Sequence, residues 1–303
     1  NKSKKKICEL DISEFNSVNC RYTTLKRSSL INFLKKDLED QIKTGYDISK
    51  IDHHDKQIKL SFKNNEVNEC DYLIISDGIF SKCKSLISNK QIKPLYNDTL
   101  AIRGILTKSF EKIDNKNISL FLGSNFHQVI YPTNNRGDLN FIAIMKYKLS
   151  TEEQKNYSLF SDNSFIAKVL EKIPLENKEF LNNLKELKIF PVFTSKNFYE
   201  LQNDKIHLIG DAFFAFPPSF AQGASQSIES AYELFKDIEN NTESNFFKSR
   251  VNKIKMVNVR SKLNQFIFHL SSPLTIFFRN IFLKRLVKNK KFLESYLGKI
   301  YRN

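Results

Sequence analysis

The sequence predicts an α/β fold, α+β overall, in which an incomplete doubly wound domain is interleaved with a β-sheet domain and followed by a helical tail. Residues 71–84 and 204–239 predict the doubly wound part, because each stretch has the pattern of a strand, a loop and a helix. Alternating residues over 126–131 predict the separate sheet. Apolar residues recurring over 246–270 predict the tail.

The stretch 204–239 carries the most information. An apolar strand over residues 206–209 ends at Gly210 and Asp211, and a loop with four phenylalanines, two prolines and no charge follows over 212–221. Because loops usually face water and are polar, we expect protein or a ligand to cover this one. A helix with an apolar stripe comes next. The stripe consists of Ile228, Ala231, Tyr232, Phe235 and Ile238.

This loop lies after a strand and before a helix, where open α/β sheets place their ligands. Gln222, Gly223 and Ala224 fall at or near the predicted helix N-terminus, where free backbone N–H groups carry partial positive charge. The carboxylate of Asp211 suits a sugar or ribityl hydroxyl, and Gly223 lets a flat ring come close. The pattern indicates a ligand with hydroxyls, a flat apolar body and an edge that becomes negative.

A second strand, at 71–76, runs into Asp77 and Gly78 and then into a helix that we expect Ser81 to cap. Asp-Gly alone is a common turn and a weak signal. Earlier in the chain we expect two short strands within 4–25. We also expect a helix starting near Arg27 with a buried stripe of Leu30, Phe33, Leu34 and Leu38, strands at 46–51 and 57–62, and a charged helical shell at 151–188.

The strand at 126–131 contains the one histidine of chemical interest. His127 and Tyr131 share one face of that strand, and a partner strand is predicted at 139–145. His127 is either a sheet histidine with a satisfied hydrogen bond or a base that faces a substrate pocket. An unperturbed pKa near 6.5 suits the second role.

Together these motifs resemble the second flavin-binding motif and flanking segments of the FAD-dependent aromatic hydroxylases. The resemblance is strongest to the salicylate and hydroxybenzoate hydroxylase branch, with ubiquinone-pathway hydroxylases as relatives. The matching residues of the central motif are Gly210-Asp211-Ala212, Pro218, Ala221-Gln222-Gly223-Ala224, Ile228-Glu229 and Ala231. The chain departs from the family at Phe213 and Phe214, where the family has Ala-His, and at Lys84, where it has Arg.

The resemblance implies that FAD is bound and that NADH or NADPH is the co-substrate. Asp211 would contact the ribityl chain, and Gln222, Gly223 and Ala224 would face the pyrimidine edge of the flavin. Arg27 would reach the FAD, whereas Asp77 and Gly78 would serve both cofactors. Gly210 belongs to the same motif. In the catalytic pocket, His127 would remove a phenolic proton, with Tyr131 beside it and Pro218 in the wall.

The expected reaction is hydroxylation of a small phenolic or aromatic substrate with O2. The two phenylalanines favour an apolar substrate, such as a prenylated phenol. The expected domains are FAD-binding (26–88 and 197–242), substrate (1–25 and 89–196) and helical (243–303). None of the eight glycines forms Gly-x-Gly, so the dinucleotide fingerprint is absent. Three interpretations of the chain therefore remain open: a fragment of a longer protein, a partner of a second polypeptide, and a non-catalytic remnant.

The composition limits the other function classes. The net charge of +15 is spread along the chain without a nucleic-acid motif, so we expect no nucleic-acid partner. The four cysteines lack zinc spacing, and the pair His53-His54 has no acidic or thiol partner nearby, so we expect no metal. We expect a cytoplasmic protein. Peripheral contact with the inner face of a membrane through the basic, aromatic tail stays open, as does a membrane-surface binder without flavin.

Overall fold

A computed structural model describes residues 6–16, 21–53, 57–106, 113–133, 137–173, 178–201 and 203–301. In chain order its strands are β1 (Ile48–Asp52), β2 (Ile58–Phe62), β3 (Val67–Cys70), β4 (Leu73–Ile75), β5 (Leu95–Leu106), β6 (Ser119–Gly123), β7 (Phe126–Pro132), β8 (Leu139–Lys146), β9 (Leu184–Thr194) and β10 (Ile206–Leu208). The mixed helix and strand content confirms the predicted fold class.

The helices are distributed along the whole chain. They are α1 (Arg27–Lys35), α2 (Lys82–Ser88), α3 (Thr151–Lys155), α4 (Asn163–Glu171), α5 (Lys178–Leu181), α6 (Gly210–Phe214), α7 (Gly223–Glu239), α8 (Phe246–Phe268), α9 (Pro273–Leu286), α10 (Lys290–Leu293) and α11 (Lys299–Tyr301). Chain contacts divide the molecule into two compact units. The first unit comprises residues 1–34, 98–191 and 265–303, and the second comprises 35–97 and 192–264.

The first unit is built on a five-stranded sheet with the order β6-β7-β8-β5-β9. Its β7 and β8 are antiparallel, as predicted from the alternation at 126–131. The residues of β7 that alternate with His127 lie on the fully buried face of the sheet: Phe126, Gln128 and Ile130. Helix α5 lies on that face, because Phe180 packs against Phe121 of β6 with ring centroids 5.5 Å apart.

The second unit contains two small sheets. β1, β2 and β3 form an antiparallel sheet, whereas β4 and β10 form a parallel pair. In that pair Leu73 lies opposite Ile206, and Ile75 lies opposite Leu208. A shared apolar core links the pair to the segment after β10, and it includes Ile75, Leu208, Ala212, Phe213 and Phe214. The core therefore holds the carboxyl ends of two parallel strands in register.

The predicted buried stripe on α1 is wrong, and the apolar stripe on α7 faces outward. On α1, Phe33 is 74% exposed and Leu34 is 49% exposed. On α7, the predicted stripe faces outward, with Ile228, Tyr232 and Phe235 each about half exposed at 47%, 58% and 55%. The buried side of α7 carries Gln226, Ser230 and Leu234 instead. The polar residues of this face can be buried because Arg250, which lies against it, donates hydrogen bonds to Gln226.

Some predicted boundaries also need correction. Neither 6–16 nor 21–25, the described part of the segment 4–25, contains a strand, and Ser13–Phe15 forms a 3₁₀ turn instead. The helical shell at 151–188 ends early, because β9 begins at Leu184. Part of the apolar loop at 212–221 is helical in α6, and Pro218–Phe220 forms a 3₁₀ turn. The strands at 46–51, 57–62 and 139–145 are confirmed within one or two residues.

Candidate active site

In the second unit, two acidic residues follow neighbouring parallel strands. Asp77 comes two residues after β4, and Asp211 comes three residues after β10. The backbone N–H of Ile209 donates to the carbonyl of Ile75 at 3.0 Å, which extends the pairing up to the point where both chains turn. Both carboxylates are exposed. Asp77 and Asp211, each predicted separately as a site residue, therefore both lie at the edge where open sheets bind ligands.

Glycines make both turns sterically feasible. Gly78 has φ +82° and Gly210 has φ +58°, conformations that side chains disfavour. A Cβ on Gly210 would also lie 3.0 Å from the hydroxyl of Ser227. Asp77 is held in place because its Oδ2 accepts the N–H of Cys83 at 3.0 Å, and Ser81 caps α2 by accepting the N–H of Lys84. This capping was predicted and is confirmed.

The N-terminus of α7 is the third part of this site. Gln222 is the N-cap residue, no side chain of the described residues caps the helix, and its first turn contains no acidic residue. Gly223 and Ala224 are exposed, and a Cβ added to Gly223 would have nothing within 4 Å. The first amides of a 17-residue helix therefore remain available to a negatively charged edge of a flat ligand.

The apolar loop over 212–221 is largely covered by the protein itself. Phe213 and Phe214 are buried, and Phe214 stacks on Phe198 with ring centroids 4.2 Å apart. Ser195 fastens the loop, because its N–H donates to the carbonyl of Ala215 and its hydroxyl accepts the N–H of that residue. The two phenylalanines are core residues of the second unit, so they do not indicate an apolar substrate.

Lys84 is a second support for this loop. Its ammonium is buried, donates to the carbonyl of Ala212 at 3.0 Å and lies 5.4 Å from the ring centroid of Tyr199. Burial lowers the pKa of this ammonium, with Asp77 acting in the opposite direction. Lys84 therefore links the two strand-end motifs from inside the unit.

Arg250 of α8 organises the inner face of α7. It is 1% exposed and donates to the carboxylates of Glu229 and Glu233 at 3.0 and 2.9 Å. Its other amino group donates to the backbone carbonyl and the side-chain oxygen of Gln226 at 3.1 and 3.0 Å. Gln226 in turn lies 3.4 Å from the side-chain oxygen of the N-cap residue Gln222. A buried chain of contacts thus reaches the N-terminus of α7.

In the first unit, strand register places four polar residues on one face of the sheet. His127, Val129 and Tyr131 alternate along β7 and so point to the same face. On β8, Asn140 lies opposite Tyr131 and Ile142 lies opposite Val129. Arg103 of β5 lies opposite Ile142 and therefore belongs to that face as well. Arg103 is exposed, whereas the other three are buried or half-buried. Burial raises the pKa of Tyr131, and the charge of Arg103 opposes that change. Sequence reasoning missed Arg103 and Asn140 as members of this face, since only the register between strands shows it.

His127 is 2% exposed and has an unexpected neighbour. Its Nδ1 lies 2.8 Å from Nε2 of His269, and the ring of Phe268 contacts it edge-on at a centroid distance of 5.2 Å. Burial lowers the pKa of His127 to about 3, and His269 acts in the same direction. Burial also lowers the pKa of His269 to about 4. Both rings are therefore uncharged near neutral pH.

Three other residues singled out in the sequence are Arg27, Pro218 and His54. Arg27 is exposed at the start of α1, and the preceding Lys26 pairs with Asp138 at 2.9 Å. Pro218 is half-buried and begins the 3₁₀ turn, where its carbonyl accepts the N–H of Ala221 at 2.9 Å. His54 lies outside the described residues. Within the described ranges, no cluster of three His, Cys, Asp or Glu side chains could hold a metal.

Comparison with known proteins identifies the family. The model of the FAD binding domain family matches residues 9–243, which is more than half of the chain. The chain belongs to this FAD binding domain family. This confirms the resemblance inferred from the motifs at 77–84 and 210–231.

Individual relatives are distant. Zeaxanthin epoxidase from an Oncidium hybrid cultivar is 22% identical over 247 residues, which is 80% of this chain and 35% of that protein. An HpxO variant of Klebsiella pneumoniae complexed with FAD has a TM-score of 0.76 at 14% identity and covers 90% of this chain and 73% of its own. A salicylate hydroxylase substrate complex has a TM-score of 0.69 at 19% identity, with 91% and 74% coverage. The structural matches show the hydroxylase fold, and the chain spans about a third of the length of the curated epoxidase.

Proposed function

We propose that this chain takes part in the FAD-dependent hydroxylation of a small phenolic substrate, with NADH or NADPH as reductant and O2 as oxidant. The observation that carries the proposal is in the second unit. There, Asp77 and Asp211 follow paired parallel strands, beside the uncapped N-terminus of α7. This arrangement fits FAD, because it offers carboxylates to hydroxyls, an open approach at Gly223, and amides to a negative edge.

Each residue has a defined part in this proposal. Asp211 accepts hydrogen bonds from the ribityl hydroxyls, and the amides of Gly223 and Ala224 stabilise negative charge on the flavin edge. When bound, reduced FAD supplies the activated oxygen that reaches the substrate ring. His127 accepts the proton of the phenolic hydroxyl, which raises the electron density of the ring. Tyr131, Arg103 and Asn140 share the face of the sheet with His127 and orient the substrate.

The first test is binding of FAD to the full chain. We expect the purified protein to bind FAD and to perturb its visible spectrum. We also expect Asp211→Ala to raise the dissociation constant roughly tenfold or more, because charge-assisted hydrogen bonds are worth about 1.5–3 kcal/mol. Isothermal titration and flavin fluorescence would measure both effects.

Asp71→Ala is the matched control, since Asp71 is an exposed carboxylate of the same unit and lies before β4 instead of after it. It should bind FAD like the unchanged protein. Equal affinities in the two variants would show that Asp211 is not a ribityl contact. If the unchanged chain binds no FAD, the non-catalytic remnant becomes the better description.

A second candidate function rests on α9. Its outward side carries four exposed apolar side chains, and no Asp or Glu occurs between residues 265 and 293. The four are Leu274, Phe277, Phe278 and Phe282. Their spacing of three and four residues places them on one stripe of the helix, and exposed Lys284 and Arg285 follow at its end. No helix of the described residues is long and apolar enough to cross a bilayer.

We propose that this stripe rests on an anionic membrane surface, with phenylalanines among the acyl chains and cations at the phosphates. Phe277→Ser combined with Phe278→Ser should lower the binding to phosphatidylglycerol-containing vesicles at least tenfold, because two aromatic side chains that insert among the acyl chains are lost. Co-sedimentation would measure this. Phe33→Ser, at an even more exposed position of α1, is the control. Equal binding by neutral and anionic vesicles, or by all three proteins, would contradict the proposal.

A further inference from the structure

His127 and His269 contact each other in the first unit. The 2.8 Å distance between Nδ1 of His127 and Nε2 of His269 is that of a hydrogen bond. Two uncharged imidazoles can share such a contact only if one nitrogen carries a proton and the other offers a lone pair. The pair therefore has two alternative proton arrangements, and they have opposite consequences for the outer nitrogen of His127.

His269 is fixed against β7 by its backbone as well as its ring. It follows the last residue of α8, and its carbonyl accepts the N–H of Asn125 at 3.3 Å. Asn125, with φ +56°, sits in the turn before β7, and its own carbonyl accepts the N–H of Lys146. The end of α8 is thus fastened to the turn that precedes His127, and this holds the two rings in contact.

The neighbourhood of the pair is mostly apolar. Strand register places Leu122 and Ile144 on either side of His127, and Phe268 covers its ring. The charged group close to His269 is Lys146 of β8, which lowers the pKa of that ring as burial does. The backbone of Ile144 is a further hydrogen-bond partner of His269 and acts in the opposite direction. A carbonyl acceptor there favours a proton on Nδ1 of His269 and leaves its Nε2 free to accept.

We propose that His269 is the positioning partner of His127: it accepts the Nδ1 proton of His127, and Nε2 of His127 thereby presents a lone pair. This inference rests on the proposed function, in which His127 deprotonates a phenol. When Nε2 takes the phenolic proton, the Nδ1 proton moves to Nε2 of His269. The phenolate carries one negative charge and the histidine pair one positive charge, so the step balances.

This arrangement answers a difficulty of the buried base. A lone imidazole with a strongly lowered pKa is a poor acceptor for a phenolic proton. Sharing the charge over two rings, with the Ile144 carbonyl behind the second, favours the protonated pair without placing a carboxylate in the sheet. Within the described ranges, no acidic side chain forms a hydrogen bond or ion pair with either ring.

The test uses the full chain, ¹⁵N-labelled at histidine, and two variants of His269. His269→Gln retains a hydrogen-bond acceptor but cannot take up the proton, and His269→Leu retains neither property. With only five histidines, single variants assign every signal. We expect the unchanged protein at neutral pH to show His127 protonated at Nδ1 and unprotonated at Nε2. We expect the same form in His269→Gln, and loss of that preference in His269→Leu.

The second readout is the phenolate absorbance of bound 4-nitrophenol, which needs no turnover. His269→Gln should lower the ratio of phenolate to phenol in the complex roughly tenfold at fixed pH, because the proton has no second site. Thermal melts would establish that both variants fold.

The outcomes are distinct. A proton on Nε2 of His127 in the unchanged protein, or identical nitrogen signals in all three proteins, would overturn the inference. An unchanged phenolate ratio in His269→Gln would overturn the proton transfer to His269. If the unchanged protein fails to bind the phenol, the proposed function fails, and the nitrogen signals still decide the role of His269.

Discussion

Arg250→Met is expected to lower the free energy of unfolding of the second unit by about 3 kcal/mol, because it leaves charged groups without their buried partner. Arg250 is 1% exposed and serves Glu229, Glu233 and Gln226 at once. Glu233 is about one-third exposed, so the loss should come mainly from Glu229 and Gln226. Urea denaturation followed by circular dichroism would measure the change.

Lys248→Met is the control for this variant, since Lys248 is an exposed cation on the same helix. It should change the free energy of unfolding by no more than about 0.5 kcal/mol. Adding Glu229→Gln and Glu233→Gln to Arg250→Met should recover part of the loss, because the uncompensated carboxylates disappear. A triple variant as unstable as the single one would mean that lost packing, and not unpaired charge, is the cause.

His127→Gln is expected to lower kcat/KM for phenol hydroxylation by about 10²–10⁴-fold, the usual contribution of a general base. Oxidation of NADH or NADPH should be less affected, so that product formed per reductant falls. Since the pKa of His127 is lowered to about 3, the ring stays able to accept a proton down to about pH 4. Oxygen uptake and product analysis from pH 5 to 8 would test this.

Tyr131→Phe is the comparison on the same face, because it retains the ring and loses only the hydroxyl. We expect it to act mainly on KM, as a substrate-orienting residue should. An undiminished rate of hydroxylation in His127→Gln would exclude His127 as the base. The surrounding sheet would then be a binding surface only.

The local motifs were predictable because their residues are close in the sequence. The strand before Asp77 and the helix capped by Ser81 form as expected, and so do the strand before Asp211 and the helix that begins at Gly223. Glycine, capping and apolar runs act over a few positions, so the local sequence is enough to predict them. The parallel pairing of β4 with β10 follows from the same strand–turn–helix units.

The partners that complete each group could not be predicted. Arg250 contacts residues of α7 that are 17 to 24 positions away in the sequence, and His269 contacts a residue of β7 that is 142 positions away. Nothing in the local sequence of either residue indicates these contacts. The outward direction of the apolar stripe on α7 could not be predicted for the same reason. The periodicity of Ile228, Tyr232 and Phe235 indicates an apolar face, but which face is buried depends on the arginine beneath the other side.

The buried ammonium of Lys84 has an evolutionary consequence. It donates to the carbonyl of Ala212, which is 128 residues away in the sequence. The motif that contains Lys84 and the motif that contains Ala212 are therefore physically connected in the folded chain. A shorter side chain at position 84 would leave that carbonyl without its donor, and a longer one would displace the phenylalanines packed after it. Substitutions at 84 and within 212–215 should therefore be tolerated together more often than singly, as a covarying pair in the lineage of this chain.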